Sequence, residues 1–193
     1  RGLNVPGEDA GGVIPAISFL KDVYDGKKVQ VGKKVVVVGG GFTAVDAART
    51  ARRLGAEDVY IAYRRTKDEM PATREEVAEA EAEGVKVMYL VAPKSIEAKN
   101  GHVSGIHMIN QVLGQKDSSD RRKPEEVATA DFTLACDTVI SAIGQQPDSK
   151  GISGLKLDRH GMVECDAKTG ATSVGGVFAG GDVNNVATVI AAI

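Results

Sequence analysis

The feature that most constrains this chain is the run Val35-Val36-Val37-Val38 passing straight into Gly39-Gly40-Gly41. Four consecutive β-branched residues with no polar alternation suit a strand covered on both faces, as in the middle of a parallel sheet. The glycines stop the strand abruptly. Thr43 to Leu54 then sets Val45, Ala48 and Ala51 on one helical side and ends at Gly55. Asp58-Val-Tyr-Ile-Ala-Tyr63 reads as a second strand, so the segment is a βαβ unit with an expected right-handed crossover.

Around this unit the sequence predicts further elements. Ile14 to Tyr24 places Ala16, Phe19, Leu20 and Val23 on one helical face. A helix with a charged outer face is expected from Pro71 to Gly84, where Glu75, Glu76, Glu79, Glu81 and Glu83 read as a solvated surface rather than an acid-base or metal cluster. Residues 85–91 form a third strand, and residues 95–98 and 102–109 form a hairpin closed by Asn100-Gly101. Residues 115–127 are expected as an exposed polar loop, followed by strands at 128–134 and 138–143. Val177-Phe178-Ala179 is expected as a short buried strand and Val186 to Ile193 as the start of a helix. The fold class is therefore α/β: a Rossmann-like parallel sheet with helices and an inserted antiparallel β-meander.

Composition narrows the function. With 42% hydrophobic residues over 193 positions the chain can bury the core of a domain. Its 24 basic and 26 acidic residues leave a net charge of −2 with no dense basic tract, so no nucleic-acid partner is expected. No apolar run approaches the roughly 18 residues that suggest a membrane span. No signal peptide opens at Arg1, so a cytoplasmic setting is expected. Cys136 and Cys165 form no CxxC, and His102, His107 and His160 lie far apart, so all five read as structural and no metal site is expected.

Gly39-Gly40-Gly41-Phe42-Thr43-Ala44 has the form G-x-G-x-x-A, directly after the buried strand and directly before the helix. The first glycine permits the tight turn. Gly41 lets backbone approach a pyrophosphate at the positive helix N-terminus, and the small Ala44 permits close helix packing. A site for NADH would carry an acidic residue at the end of the second strand to accept the ribose 2′-hydroxyl. Here Arg64 and Arg65 stand instead, and guanidinium groups suit a 2′-phosphate, which favours NADPH. The alternative is that the two arginines merely pair with Asp68 or Glu69 on a surface loop.

Taken together, Val5-Pro-Gly-Glu8, the glycine motif running into Ala44-Val-Asp46, Tyr63-Arg-Arg65, Glu69-Met-Pro-Ala72, Ala142-Ile-Gly144 and Gly176-Val-Phe-Ala-Gly-Gly-Asp182 resemble the glutamate synthase small-subunit family. That family of NADPH-dependent flavin oxidoreductases also takes in NADPH:ferredoxin transhydrogenase subunits and the flavin segment of dihydropyrimidine dehydrogenase. The resemblance implies an NADPH domain inserted into an FAD domain, with Ile143 and Gly144 near the nicotinamide and Gly181 and Asp182 against the flavin. It implies residues 1–30 as a segment joining from the FAD domain, 31–145 as the NADPH domain, and 146–193 as a partial return into the FAD domain, its C-terminal remnant. The first FAD glycine motif and an N-terminal iron–sulfur region are expected upstream of residue 1, and a larger redox subunit or ferredoxin is the implied partner.

Two departures stand out. Phe42 occupies a position where the family usually has Asn, and the segment after Asp182 lacks the family's usual glycine. Hydride transfer is the cofactors' own chemistry, so no catalytic acid, base or nucleophile is expected from this chain. Two other readings are a disulfide reductase of the thioredoxin reductase type, which needs a CxxC, and a nucleotide-sensing module without redox work.

Overall fold

The computed structural model describes residues 2–116, 121–144, 153–159 and 161–184. The chain divides into two compact units, Arg1–Gly144 and Gln145–Ile193.

In the first unit the elements are β1 (Val13–Pro15), α1 (Ala16–Tyr24), β2 (Lys34–Val38), α2 (Phe42–Arg53), β3 (Asp58–Tyr63), α3 (Arg74–Ala82), β4 (Val85–Tyr89), β5 (Val91–Lys99), β6 (His102–Lys116), β7 (Arg122–Leu134) and β8 (Thr138–Ser141). β1, β8, β2, β3 and β4 form a parallel sheet in that order, and β5, β6 and β7 form an antiparallel one.

The valine run explains the layering. Val35 and Val37 face a core shared with Phe19 of α1, Ala44, Val45 and Ala48 of α2, and Val77 of α3. Val36 and Val38 face the opposite core, built with Ile96, Val103, Ile106 and Met108 of the antiparallel sheet. Alternate side chains of a strand point to opposite faces, so a strand with a layer on each side must be apolar throughout. Each fully buried valine here contributes about 1.5–3 kcal/mol relative to exposure.

Several boundaries differ from those read in the sequence. Ile14 and Pro15 belong to β1, which pairs with β8, so α1 starts only at Ala16. α3 begins at Arg74 rather than Pro71, because the Thr73 side chain accepts a hydrogen bond from the Glu76 amide and caps the helix. The third strand breaks at Leu90, where φ is +56°, and the chain leaves the parallel sheet there for the antiparallel one. The polar stretch at 115–127 is mostly strand: β6 runs to Lys116 and β7 starts at Arg122. Polar side chains on a two-stranded extension remain solvated, so composition alone suggested a loop. The Asn100-Gly101 turn has the positive φ values, 54° and 80°, that a tight hairpin needs.

The leading segment packs onto this unit. Ile96 donates to the Pro6 carbonyl, Gly11 to the Gly101 carbonyl and Val103 to the Gly11 carbonyl, each at 2.8 Å.

The second unit is held by bridges between Leu157 and Val163, Cys165 and Thr172, and Ala171 and Phe178. Val177-Phe178-Ala179 is not a buried strand: Val177 and Phe178 are 39% and 67% exposed, and only Phe178 forms a bridge. The helix expected from Val186 and the position of His160 lie outside the described residues.

Candidate functional site

β2 lies between β8 and β3, so the strand order reverses at its C-terminal end. Open α/β sheets leave a crevice at such a point. Gly39-Gly40-Gly41 sits there, and the three glycines have different reasons to be glycine.

Gly39 has φ +146° and donates to the Ala62 carbonyl at 3.0 Å. A Cβ on it would stand 2.9 Å from the Ala142 carbonyl carbon and closer still to its oxygen. Ala142 in turn donates to the Val38 carbonyl at 2.8 Å, so the ends of β2 and β8 interlock. Gly40 is buried, and a Cβ there would enter the Tyr63 ring, 2.8 Å from Cγ. Gly41 is the N-cap of α2 with an ordinary φ of −91°, and nothing lies within 4 Å of its Cβ position. Its backbone thus borders open space.

No side chain caps α2. The amides of Ala44 and Val45 both reach the Gly41 carbonyl, at 2.9 and 3.2 Å. The amides nearest the start of a helix lack intrahelical partners and carry its partial positive charge. Ala44 is fully buried, where any larger side chain would push α2 from the core, while Thr43 is half-buried and Phe42 is 49% exposed. Burial therefore does not account for an aromatic residue at position 42.

The loop between β3 and α3 folds back over this turn. Tyr63 donates to the Glu69 carbonyl at 2.7 Å, Ala72 donates to the Gly40 carbonyl at 3.1 Å, and Met70 and Ala72 are buried. Burial pushes the Tyr63 phenol above its ordinary pKa, against the opposing effect of the neighbouring Arg65. These contacts account for the Tyr63 and Glu69-Met-Pro-Ala72 motifs: they hold the loop against the glycine turn.

The two arginines part company. Arg65 is 4% exposed, and its Nε donates to the Arg122 carbonyl at 2.8 Å. Arg64 is exposed and has no hydrogen-bond or ion-pair partner among the described residues. The acidic residues of the loop pair with other cations, Asp68 with Arg74 at 3.0 Å and Glu69 with Arg122 at 3.1 Å. Arg64 is therefore not consumed by a surface ion pair. Arg122 was not apparent from the sequence, since it falls in a polar stretch whose composition gives no sign of what it touches.

Ile143 and Gly144 follow β8 and are exposed, Gly144 at φ +103°. In the second unit, Gly181 is buried at φ +75° and opens a 3-10 turn, Gly181–Asn184, on which Asp182 is exposed. Cys136 is 3% exposed, and Cys165 is half-buried in the second unit, 3.1 Å from the Asn184 amide nitrogen. His102 lies beside Gly11, and His107 bonds to Asp131 and Thr133 on the antiparallel sheet. Among the described residues no group of His, Cys, Asp and Glu is placed to hold a metal ion. No described helix is long and apolar enough to cross a membrane.

A family profile described as pyridine nucleotide-disulphide oxidoreductase matches residues 1–193. The chain is 45% identical to the beta subunit of NADP(+)-dependent formate dehydrogenase of Moorella thermoacetica, over 94% of this chain and 26% of that protein. It is 38% identical to the glutamate synthase [NADPH] small chain of Escherichia coli (strain K12), over 91% of this chain and 41% of the relative. Among solved structures, T. acidophilum thioredoxin reductase superposes with a TM-score of 0.73 at 24% identity, covering 100% of this chain and 57% of that one. Mycobacterium tuberculosis FprA in complex with NADPH gives 0.74 at 20%, covering 97% and 56%. At these identities the structural likeness bears on the fold alone. The chain spans about a quarter to a third of the first of its curated relatives.

Proposed function

The chain belongs to the pyridine nucleotide-disulphide oxidoreductase family, and on that premise we propose that it is the NADPH-binding part of a flavin-dependent oxidoreductase resembling the glutamate synthase small subunit. The observation that carries this reading is Gly41. It borders open space at the uncapped start of α2, whereas the glycines before it are filled in by Ala142 and Tyr63. A pyrophosphate needs backbone amides, helix polarity and room, and all three meet there. The relatives' names, NADP(+)-dependent formate dehydrogenase and glutamate synthase [NADPH], support the choice of nucleotide.

NADPH held at this turn would supply a hydride to an FAD, from which electrons would pass to another redox centre. This chain's share is to bind and orient. In this reading Gly39, Gly40, Gly41, Phe42, Thr43 and Ala44 form the pyrophosphate turn, and Arg64 recognises the 2′-phosphate. The buried Arg65 supports the loop, while Ile143 and Gly144 flank the nicotinamide. Gly181 and Asp182 meet the flavin, the carboxylate standing exposed on its turn. The remaining flavin contacts and an iron–sulfur region are expected outside residues 1–193, with a larger redox subunit or ferredoxin as the partner. The setting we propose is cytoplasmic.

A calorimetric titration with NADPH and NADH tests the reading. NADPH should bind more tightly. Arg64→Ala should cost about 1.5–3 kcal/mol of NADPH affinity, the range for a charge-assisted hydrogen bond, and leave NADH unchanged. No preference for NADPH in the native chain, or none lost in Arg64→Ala, would overturn it.

A further inference from the structure

The antiparallel sheet does more than cover one face of the parallel one: its far end is tied to the loop that carries Arg64. Leu90 donates to the Arg65 carbonyl at 3.2 Å, and Gln111 of β6 donates to the Leu90 carbonyl at 2.7 Å. Arg65 donates through Nε to the Arg122 carbonyl at 2.8 Å, and Arg122 donates through its own Nε to Glu69 Oε1 at 3.1 Å. Glu69 also accepts from the Thr66 hydroxyl at 3.1 Å. Its side chain is 14% exposed and that of Arg122 is 50% exposed, so the contact is partly sheltered from water.

Glu69 is the difficulty this arrangement addresses. It stands five residues after Arg64, on the loop where a 2′-phosphate would arrive. A free carboxylate beside that phosphate repels it, and one at the end of this strand is the feature that favours a 2′-hydroxyl instead. Asp68 poses the same problem more weakly, because it is open to solvent and already pairs with Arg74. Burial would push the Glu69 carboxyl up, yet the hydrogen bonds from Arg122 and Thr66 and the Arg122 charge hold it below its ordinary value. Glu69 therefore stays ionised, and its field must be cancelled by a cation rather than by a proton.

We infer that Arg122, at the start of β7, is a positioning residue for nucleotide choice: by pairing with Glu69 it masks the one half-sheltered carboxylate of the loop, so that Arg64 presents net positive charge to a 2′-phosphate. This inference rests on the NADPH reading and adds a residue from the inserted sheet to it. Arg122 acts through Glu69 and is not itself the phosphate ligand.

The test uses 2′,5′-ADP and 5′-AMP as probes, titrated into the native chain, Arg122→Ala, Glu69→Gln and the double variant, with thermal melts as a check on folding. Arg122→Ala should bind 2′,5′-ADP at least fivefold more weakly while 5′-AMP is unchanged. Adding Glu69→Gln should bring 2′,5′-ADP binding back to within about twofold of native, because the unmasked charge is gone. A merely structural role for Arg122 predicts no such rescue. Loss of both probes, loss of neither, or loss without rescue overturns the inference. If Arg122→Ala does not fold, Arg122→Gln, which still fills the space without the charge, carries the same comparison. A native chain that fails to distinguish the two probes fails the NADPH reading itself, a separate result.

Discussion

Gly40 and Tyr63 occupy the same space: a Cβ added to Gly40 would lie inside the Tyr63 ring, 2.8 Å from Cγ and nearer to Cδ2 and Cε2. The ring cannot easily yield, because its hydroxyl is tied to the Glu69 carbonyl at 2.7 Å and the residue is 6% exposed. Gly40→Ala must therefore move either the turn or the loop. Overpacking of this kind costs about 1–3 kcal/mol, so the melting temperature should fall and NADPH affinity should fall with it. Native-like stability in this variant would show that the Tyr63 ring has room to move.

Gly41→Ala should behave in the opposite way. Its φ of −91° suits any residue and nothing lies within 4 Å of the added methyl, so stability should stay within about 0.5 kcal/mol of native, as for an unconstrained surface change. Nucleotide affinity should nevertheless drop about tenfold or more, because the methyl enters the space a pyrophosphate needs. Melting and titration of the two variants side by side check the distinction. Unchanged affinity in Gly41→Ala would place the pyrophosphate elsewhere.

That contrast also marks how much was legible in the sequence. The valine run and the G-x-G-x-x-A motif gave the central strand, the turn and α2, because an unbroken β-branched strand ending in glycines has few other uses. They did not reveal that Gly40 is occupied by a side chain from the next strand. Nor could they separate Arg64 from Arg65, adjacent residues that end on opposite sides of the loop surface, one exposed and one 4% exposed. The role of Arg122 depends on a contact 53 residues away in sequence, with Glu69. Pairings of that span follow from the register of β6 and β7, which local composition does not encode.

Glu83 joins the C-terminal ends of α2 and α3. Its carboxylate receives Arg53 and Arg49, the closest approaches being 2.6 and 2.7 Å, while its carbonyl accepts from Arg52 at 3.1 Å. The hydrogen bonds from Arg53 and Arg49 hold its carboxyl below the ordinary range. A depressed folded-state pKa gives stability that is present above the unfolded carboxyl value, about 4.3, and is lost as pH falls through the lower folded value. Glu83→Gln should therefore melt below native at pH 7, and the gap should narrow on acidification below pH 4. A gap that is the same at pH 7 and pH 3 would mean the residue acts by packing and its backbone carbonyl alone.

Cys136 lies in the core between the two sheets, 3% exposed, and burial, with smaller contributions from Asp137 and Glu97, pushes its thiol up to about 12. Because the thiolate is the reactive form, the native chain should be alkylated at Cys165 well before Cys136, with Cys136 reacting only as fast as the fold opens. Mass spectrometry after timed iodoacetamide treatment at pH 8 reads the order directly, and equal rates at the two thiols would contradict it. The same shift sets a direction with pH: a folded pKa above the unfolded value, about 8.5, contributes stability present below that value and lost as pH rises from there toward 12. A thiol held protonated in this way is unsuited to serve as a redox nucleophile at neutral pH. Of the two cysteines, Cys136, in the first unit, therefore belongs to its packing, and the chemistry proposed for this unit rests on the nucleotide proposed to bind there.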